Sequence, residues 1–455
     1  MASPVSTTIF HCPHALLGDG WARDCRITVD DDGMIAGIET DAQAAGATRL
    51  QGPVIPGMVN VHSHIHQRLI AGLTGYRAVG ADSFWTWREQ MYRAVGLLSP
   101  DELRTLATFA FMELIEGGYT VTGEFHYPHR LGGAEPVETA TGLLEAADAS
   151  GMALTLLPVW YRYSGFGRRA PADRQRPFVM TLGELSGLVG GLRDHVAGSS
   201  HRVGVAPHSL RAVEVSDLPE LLSAIESGPV HLHISEQPAE VSECREHCGR
   251  TPIELLAEHV DLDRRWCLIH ATHADDEELR VMARSDAVVG LCPTTEADLG
   301  DGLFPVRRFI DQGGRYAIGS DSNLVTDAAS ELRLLDWGQR LELNRRNVLC
   351  DEGEHLGRRL WTDAALAGAD ALDQPVGTLA VGRRADWVVL DSGHPLIEGL
   401  DADDQLDTLV LAGARDLVDQ VWIAGRKQVD GGRHPGREPL APALARLRRR
   451  LTRTA

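Results

Sequence analysis

The spacing of apolar residues along this chain changes twice. Across residues 57–374, short apolar runs alternate with longer stretches in which apolar residues recur every three or four positions. Eight short runs read as strands: Met58–His62, Thr120–Phe125, Ala153–Val159, Val203–Ala206, Val230–Ile234, Trp266–Ile269, Ala287–Leu291 and Tyr316–Gly319. The clearest helical stretch is Pro100–Glu116, which opens on a Ser99-x-x-Glu102 capping box and stops at Gly117-Gly118. Eight β-α units predict a (β/α)₈ barrel of the TIM type. A doubly wound sheet is the runner-up, but no GxGxxG follows the first strand.

Outside this body the texture is strand and turn. Thr7–Phe10, Asp24–Val29 and Met34–Glu39 precede it, with Asp30-Asp31-Asp32-Gly33 as a hairpin turn. Ala385–Leu390, Thr408–Ala412 and Val418–Ala424 follow it. The two ends are expected to meet in one small β-sandwich domain, 1–56 with 375–437, beside a barrel at 57–374. Residues 438–455 form a terminal helix; from Pro442 to Arg453 it reads as amphipathic with a solvated basic face. A homodimer is expected, and that helix is one place where a second subunit could dock. Ser164–Pro177, rich in Gly, Arg and Pro, reads as a mobile loop after the third strand.

Composition narrows the picture without deciding it. The 455 residues are 43% hydrophobic and 24% charged, an ordinary globular balance. No apolar run is long enough to span a bilayer, and no signal peptide is read. Seven cysteines without disulfide-like spacing suit a reducing cytoplasm. Cys244 and Cys248, four apart on an expected helix, have no nearby partner ligands. A net charge of −20 argues against a nucleic-acid partner.

The chemistry lies at the strand ends. His62 and His64, two apart at the end of the first strand, can aim at the same side. The fifth strand ends in His231-x-His233-x-x-Glu236, the sixth in His270, and the eighth runs into Asp321. Barrel enzymes place catalytic groups at this face. His62, His64, His233 and Asp321 offer three nitrogens and one oxygen to a single ion per subunit. Zn²⁺ is expected, with iron and manganese as alternatives. Such an ion lowers the pKa of water from 15.7 to roughly 7. Glu236 is placed to shuttle protons. His270 reads as a further ligand or, preferably, as a hydrogen-bonding partner of the attacking oxygen, with Asp321 beside it. A two-metal site bridged by a carbamylated lysine is excluded, because Lys427 is the only lysine and lies beyond the barrel.

These residues resemble the amidohydrolase superfamily, and Gly382-Arg-Arg-Ala-Asp386-Trp-Val-Val-Leu-Asp391 looks like its return from barrel to β domain. The ligand pattern is similar to its one-metal deaminases. Within them the chain looks closest to the formimidoylglutamate deiminases of histidine catabolism. The motifs that carry this are Ser83-Phe-Trp-Thr-Trp-Arg88-Glu, Glu124-Phe-His-Tyr127, His208-Ser-Leu-Arg211-Ala-Val, Gly290-Leu-Cys-Pro-Thr-Thr-Glu296 and Leu299-Gly-Asp-Gly302. The resemblance implies hydrolysis of N-formimino-L-glutamate to N-formyl-L-glutamate and ammonia. It implies substrate contacts from Gln67, Arg88, Tyr127, His208 and Arg211. Cationic forks suit a substrate with two carboxylates; Trp85 and Trp87 read as packing, and Arg168 and Arg169 as solvated loop residues or a basic rim. Two positions depart from the pattern: His66 replaces an aromatic, and Asn323 replaces a histidine. The alternatives are a deaminase of purines or S-adenosyl compounds and, more remotely, a non-catalytic binding barrel.

Overall fold

The computed structural model describes residues 7–76, 84–413 and 415–453. Ser83 lies outside them, as does the side chain of Trp85. Strands β1 (Thr8–Leu17), β2 (Gly20–Val29), β3 (Ile35–Glu39), β4 (Thr48–Arg49) and β5 (Val54–Pro56) come from the N-terminal end. Next come β6 (Met58–Ser63), β7 (Tyr119–His126), β8 (Ala153–Trp160), β9 (Arg202–Val203), β10 (Ala206–Pro207), β11 (Val230–Ile234), β12 (Trp266–His270), β13 (Val288–Leu291) and β14 (Arg315–Ile318). The last three are β15 (Trp387–Leu390), β16 (Val418–Ile423) and β17 (Arg426–Val429).

Strands β6–β14 are parallel, in the order β10-β8-β7-β6-β14-β13-β12-β11 with β9 beside β8. Parallel bridges from Val205 to Val230 and from Ser209 to His233 join the two edges, so the sheet closes into a barrel. These strands are buried on both faces, which is why they read as continuous apolar runs. The order confirms the barrel over the doubly wound alternative.

The termini form a second sheet, β17-β16-β15-β5-β1-β2-β3, with β4 on β1. It rolls until Met34 bridges Arg384, enclosing Phe10, Trp387 and Trp422. The chain returns to it through a buried fork in which Arg384 donates to both carboxylate oxygens of Asp386, at 2.9 and 2.6 Å.

Local reading succeeded where local chemistry dominates. Helix Pro100–Glu116 has the Ser99–Glu102 capping box and ends at Gly117. One reading fails: Thr408–Ala412 is no strand but the end of helix Ala402–Leu411. Asp401 caps that helix by accepting from Asp404 N, and Leu406, Leu409 and Val410 bury one face. A short apolar run cannot by itself separate strand from buried helix. The terminal helix, Arg437–Arg453, buries Leu447 and Leu451. Its Arg450 forks onto Glu102, at 2.7 Å to each oxygen, so part of its basic face is engaged within the chain. No helix among the described residues is long and apolar enough to cross a membrane.

Candidate active site

Closure of the barrel brings its first and last strands together, and that seam builds the site. Asp321 N donates to His62 O at 2.9 Å, and His64 N donates to Asp321 O at 2.8 Å. Glu124 on β7 accepts the Ile65 N–H with both oxygens, at 2.9 and 3.1 Å, pinning the chain just beyond His64. Ser235, His270 and Asp321 sit at strand ends with φ of 51°, 71° and 42°. Such left-handed backbone in non-glycine residues costs of order 1–3 kcal/mol each and is typical of functional sites.

Three imidazoles converge. The Nε2 atoms of His62, His64 and His233 lie 3.1, 3.3 and 3.0 Å apart. Asp321 Oδ1 is 3.4 Å from Nε2 of both His62 and His64. The Nδ1 atoms of His64 and His233 face the carbonyls of Phe125 (3.0 Å) and His208 (2.9 Å). A carbonyl only accepts, so both Nδ1 atoms carry the hydrogen and both Nε2 atoms present lone pairs. Burial, reinforced by the neighbouring rings, keeps all three imidazoles neutral; His62 is pushed down to about 3. The His64 and His233 lone pairs, 3.3 Å apart in a buried cluster and facing His62 Nε2, are best satisfied by a cation among them. The four donors therefore fit a divalent metal: tetrahedral Zn²⁺ at about 2.0–2.1 Å from its nitrogens would separate them by roughly 3.3 Å. The Asp321 carboxyl is held low: burial would raise it, but the hydrogen bond to His62 and the charge of His270 more than reverse this.

Glu236 and His270 stand on the open side of this cluster. Glu236 Oε1 lies 3.8 Å from His270 Nε2, which is itself 3.9 Å from Asp321 Oδ2. Burial raises the Glu236 carboxyl, with His270 and Arg211 opposing. A carboxyl raised in this way holds a proton more readily than a free one, which suits a group that must take up and return one. His270 is drawn up to about 10: burial opposes the charge, but Glu236, Glu296 and Asp321 outweigh it.

A cleft opens above these groups. Gln67, Arg88, Tyr127, His208 and Arg211 all line it, together with His64, His233, Glu236, His270 and Asp321. Arg211 Nη2 is 3.7 Å from Glu236 Oε2, and its Nε is 3.6 Å from Glu240 Oε1. Arg88 faces the Tyr92 ring at 5.5 Å. Gln67 Nε2 donates to the Tyr127 hydroxyl at 3.0 Å.

The family model for the amidohydrolases matches residues 54–427, most of the chain. The chain belongs to this family. Residues 7–52 match a second model, described as the N-terminal domain of formimidoylglutamate deiminase HutF. Among characterised relatives of this amidohydrolase is the formimidoylglutamate deiminase of Pseudomonas aeruginosa, 46% identical over 95% of this chain and 97% of that one. A 5-methylthioadenosine/S-adenosylhomocysteine deaminase of Haloarcula marismortui is 28% identical over 81% and 78%. A crystal structure of an amidohydrolase from Brucella melitensis superposes with a TM-score of 0.92 at 40% identity, covering 98% of this chain and 100% of that one.

The amidohydrolase pattern also shows what sequence reading missed. Glu296, inside a motif already singled out, accepts from His270 Nδ1 at 3.2 Å and from Cys292 N at 2.8 Å. Glu240 accepts the Glu236 N–H at 3.0 Å and balances Arg211; one helical turn beyond Glu236, it could have been suspected. Tyr92 and Tyr161 line the cleft without any motif to flag them, and Trp87, packed against the core as expected, lines it as well. Arg168 and Arg169 form no basic rim: neither lines the cleft, and Arg168 pairs with Glu214 (3.5 Å) and Asp217 (3.6 Å). His66 packs its ring edge-on to Tyr127 at 5.0 Å, doing an aromatic's work. Asn323 donates to Asp321 O at 3.0 Å and to Ser63 Oγ at 3.1 Å, bracing the loop behind the carboxylate. Lys427 pairs with Asp430 on the terminal sheet. Cys244 and Cys248 lie 3.9 Å apart and join no metal-like cluster among the described residues.

Proposed function

We propose that this amidohydrolase is a formimidoylglutamate deiminase, converting N-formimino-L-glutamate and water to N-formyl-L-glutamate and ammonia in histidine degradation. The observation that carries the reading is the placement of Arg88 and Arg211 in one cleft with Glu236 and Asp321. Two guanidinium groups over a proton-transfer centre suit a substrate with two carboxylates and one hydrolysable C–N bond. The 46% identical Pseudomonas aeruginosa relative, named for this activity, supports it.

His62, His64, His233 and Asp321 would hold one divalent ion, zinc first, whose contribution is water with a pKa lowered to roughly 7. The remaining work falls to the chain. Glu236 takes a proton from the water as its oxygen bonds to the formimino carbon, then delivers it to the imino nitrogen. Asp321, ionised, accepts the hydroxyl proton of the tetrahedral adduct. His270, held by Glu296 at 3.2 Å, steadies the charge that develops on the oxygen. The second proton reaches the same nitrogen, the C–N bond breaks and ammonia leaves. Gln67, Tyr127 and His208 hold the substrate beside the two arginines. Zinc as the ion, a homodimer, and division at residues 57, 375 and 438 are finer parts of this proposal.

Trp87, Tyr92, Tyr161 and Phe178 wall the cleft with aromatic surface, which favours a second reading as a deaminase of a purine or S-adenosyl compound. Ammonia release separates the two. Turnover of N-formimino-L-glutamate, with none of guanine, adenosine or S-adenosylhomocysteine, is expected; the reverse preference overturns the proposal.

A further inference from the structure

The loop after β8 reaches back over the cleft through one side chain. Gln175 is 4% exposed, and its amide orientation is set by chemistry. The Ala172 N–H donates to Gln175 Oε1 at 2.8 Å, and a backbone N–H can only donate. Nε2 therefore faces the other way, toward the hydroxyls of Tyr161 (2.7 Å) and Tyr92 (3.3 Å). Both amide hydrogens are spent on the two phenol oxygens. The phenol hydrogens must point elsewhere; even if one hydroxyl donates to the other, at least one is left for the cleft that both rings line.

The surroundings say what that donor meets. The guanidinium carbons of Arg88 and Arg174 each lie 5.5 Å from the centre of the Tyr92 ring. Arg174 also pairs with Glu89, so the loop clamps the helix Phe84–Leu97 that carries Arg88. Burial keeps the Tyr161 hydroxyl protonated against the pull of Arg211 and Arg88. Arg211, 3.7 Å from Glu236, stands at the reacting centre. Tyr92 packs against Arg88, and Tyr161 feels both Arg211 and Arg88, so the two hydroxyls share the cleft with both guanidiniums.

We infer that Gln175 is a positioning residue that holds the Tyr92 and Tyr161 hydroxyls as donors to the side-chain carboxylate of the substrate, alongside Arg88. The inference rests on the reading of the substrate as a dicarboxylate. It gives the loop Ser164–Pro177 a task, and makes the acidic side chain of the substrate a selected feature.

Two measurements on the metal-loaded protein test it: KM and kcat for N-formimino-L-glutamate, and calorimetric Kd for glutarate. A hydrogen bond to a charged group is worth about 10-fold to 100-fold in binding. Gln175→Leu should raise KM and the glutarate Kd by about that factor while kcat stays within about 3-fold. Gln175→Glu keeps the side chain's size but offers the phenols an acceptor, drawing their hydrogens out of the cleft; it should bind at least as poorly. Adding Tyr161→Phe to Gln175→Leu should cost less than Tyr161→Phe alone, because the glutamine acts through that hydroxyl. Unchanged KM and Kd in both Gln175 variants, penalties that add in full, or a kcat that falls as far as affinity would overturn the inference. Should the wild type release no ammonia from N-formimino-L-glutamate, the deiminase reading fails by itself. The glutarate titration still decides Gln175: binding lost in the variants upholds it, and equal binding or none in the wild type overturns it.

Discussion

Arg211→Met removes the one guanidinium seen to approach both Glu236 and Glu240, and its consequences can be worked out from the structure. Methionine keeps part of the aliphatic stem, so the change is mainly electrostatic. Arg211 lies 3.7 Å from Glu236 and 3.6 Å from Glu240; both carboxylates are buried and the guanidinium is largely so. At an effective dielectric constant near 20, each attraction is about 4–5 kcal/mol before desolvation is counted. Removing one partner of a buried pair typically costs about 3–5 kcal/mol net, because the other charge is stranded. Here two carboxylates are stranded, and they respond by holding protons. Burial already raises both carboxyls in the wild type, with Arg211 opposing, so its loss raises them further. A carboxyl whose folded pKa exceeds its unfolded value binds more protons folded than unfolded, and stability then falls as pH rises through that interval. The variant should therefore lose more stability at pH 8 than at pH 5. Urea midpoints at the two pH values measure this; midpoints suit a chain of 455 residues better than extrapolated free energies. A midpoint shift of equal size at both pH values would refute the reasoning, since it would mean Arg211 acts by packing alone.

Three further perturbations test other parts of the site and fold. Glu236→Gln should retain bound metal, measured by elemental analysis, yet lose at least about 10³-fold in kcat; a metal-loaded, active variant ends the proton-shuttle role. Gly319→Ala would place a Cβ 2.8 Å from His62 Cβ and 2.9 Å from its carbonyl oxygen. Movement of that ligand should weaken metal retention about 10-fold or more in a chelator competition, and unchanged retention would show that the seam yields. His129, whose Nε2 faces Val159 O at 2.9 Å, is held down to about 4 by burial. A histidine depressed in this way contributes stability above pH 6.5 that is lost as pH falls toward 4, about 3 kcal/mol in all. His129→Gln should flatten that acid limb of the unfolding midpoint, and an unaltered limb would assign it to other groups.

The barrel, and the histidines that gather at its rim, were legible because each leaves a short-range signature. A strand buried on both faces reads as an unbroken apolar run, so Val230–Ile234 and Ala153–Val159 stood out. Ser99 and Glu102 satisfy each other within one helical turn, so that helix announced its own start. His62 and His64 share a side because strand geometry repeats every two residues. The Thr408–Ala412 run misled because strand and buried helix make the same demand of a short apolar run; the helix is decided upstream, at Asp401.

Partnerships are another matter. That Glu296 braces His270, that Glu240 rather than solvent balances Arg211, and that Gln175 faces two tyrosines depend on contacts 26, 29 and 83 residues apart or nearer only in space. No periodicity records such distances. By itself the chain determined which segments must be buried, where helices begin, and which side chains reach the rim, because these follow from local geometry and the cost of exposing apolar surface. Only the closed barrel decided which of those side chains meet, and with what protonation. Proximity sets the charge interactions, and burial sets their strength.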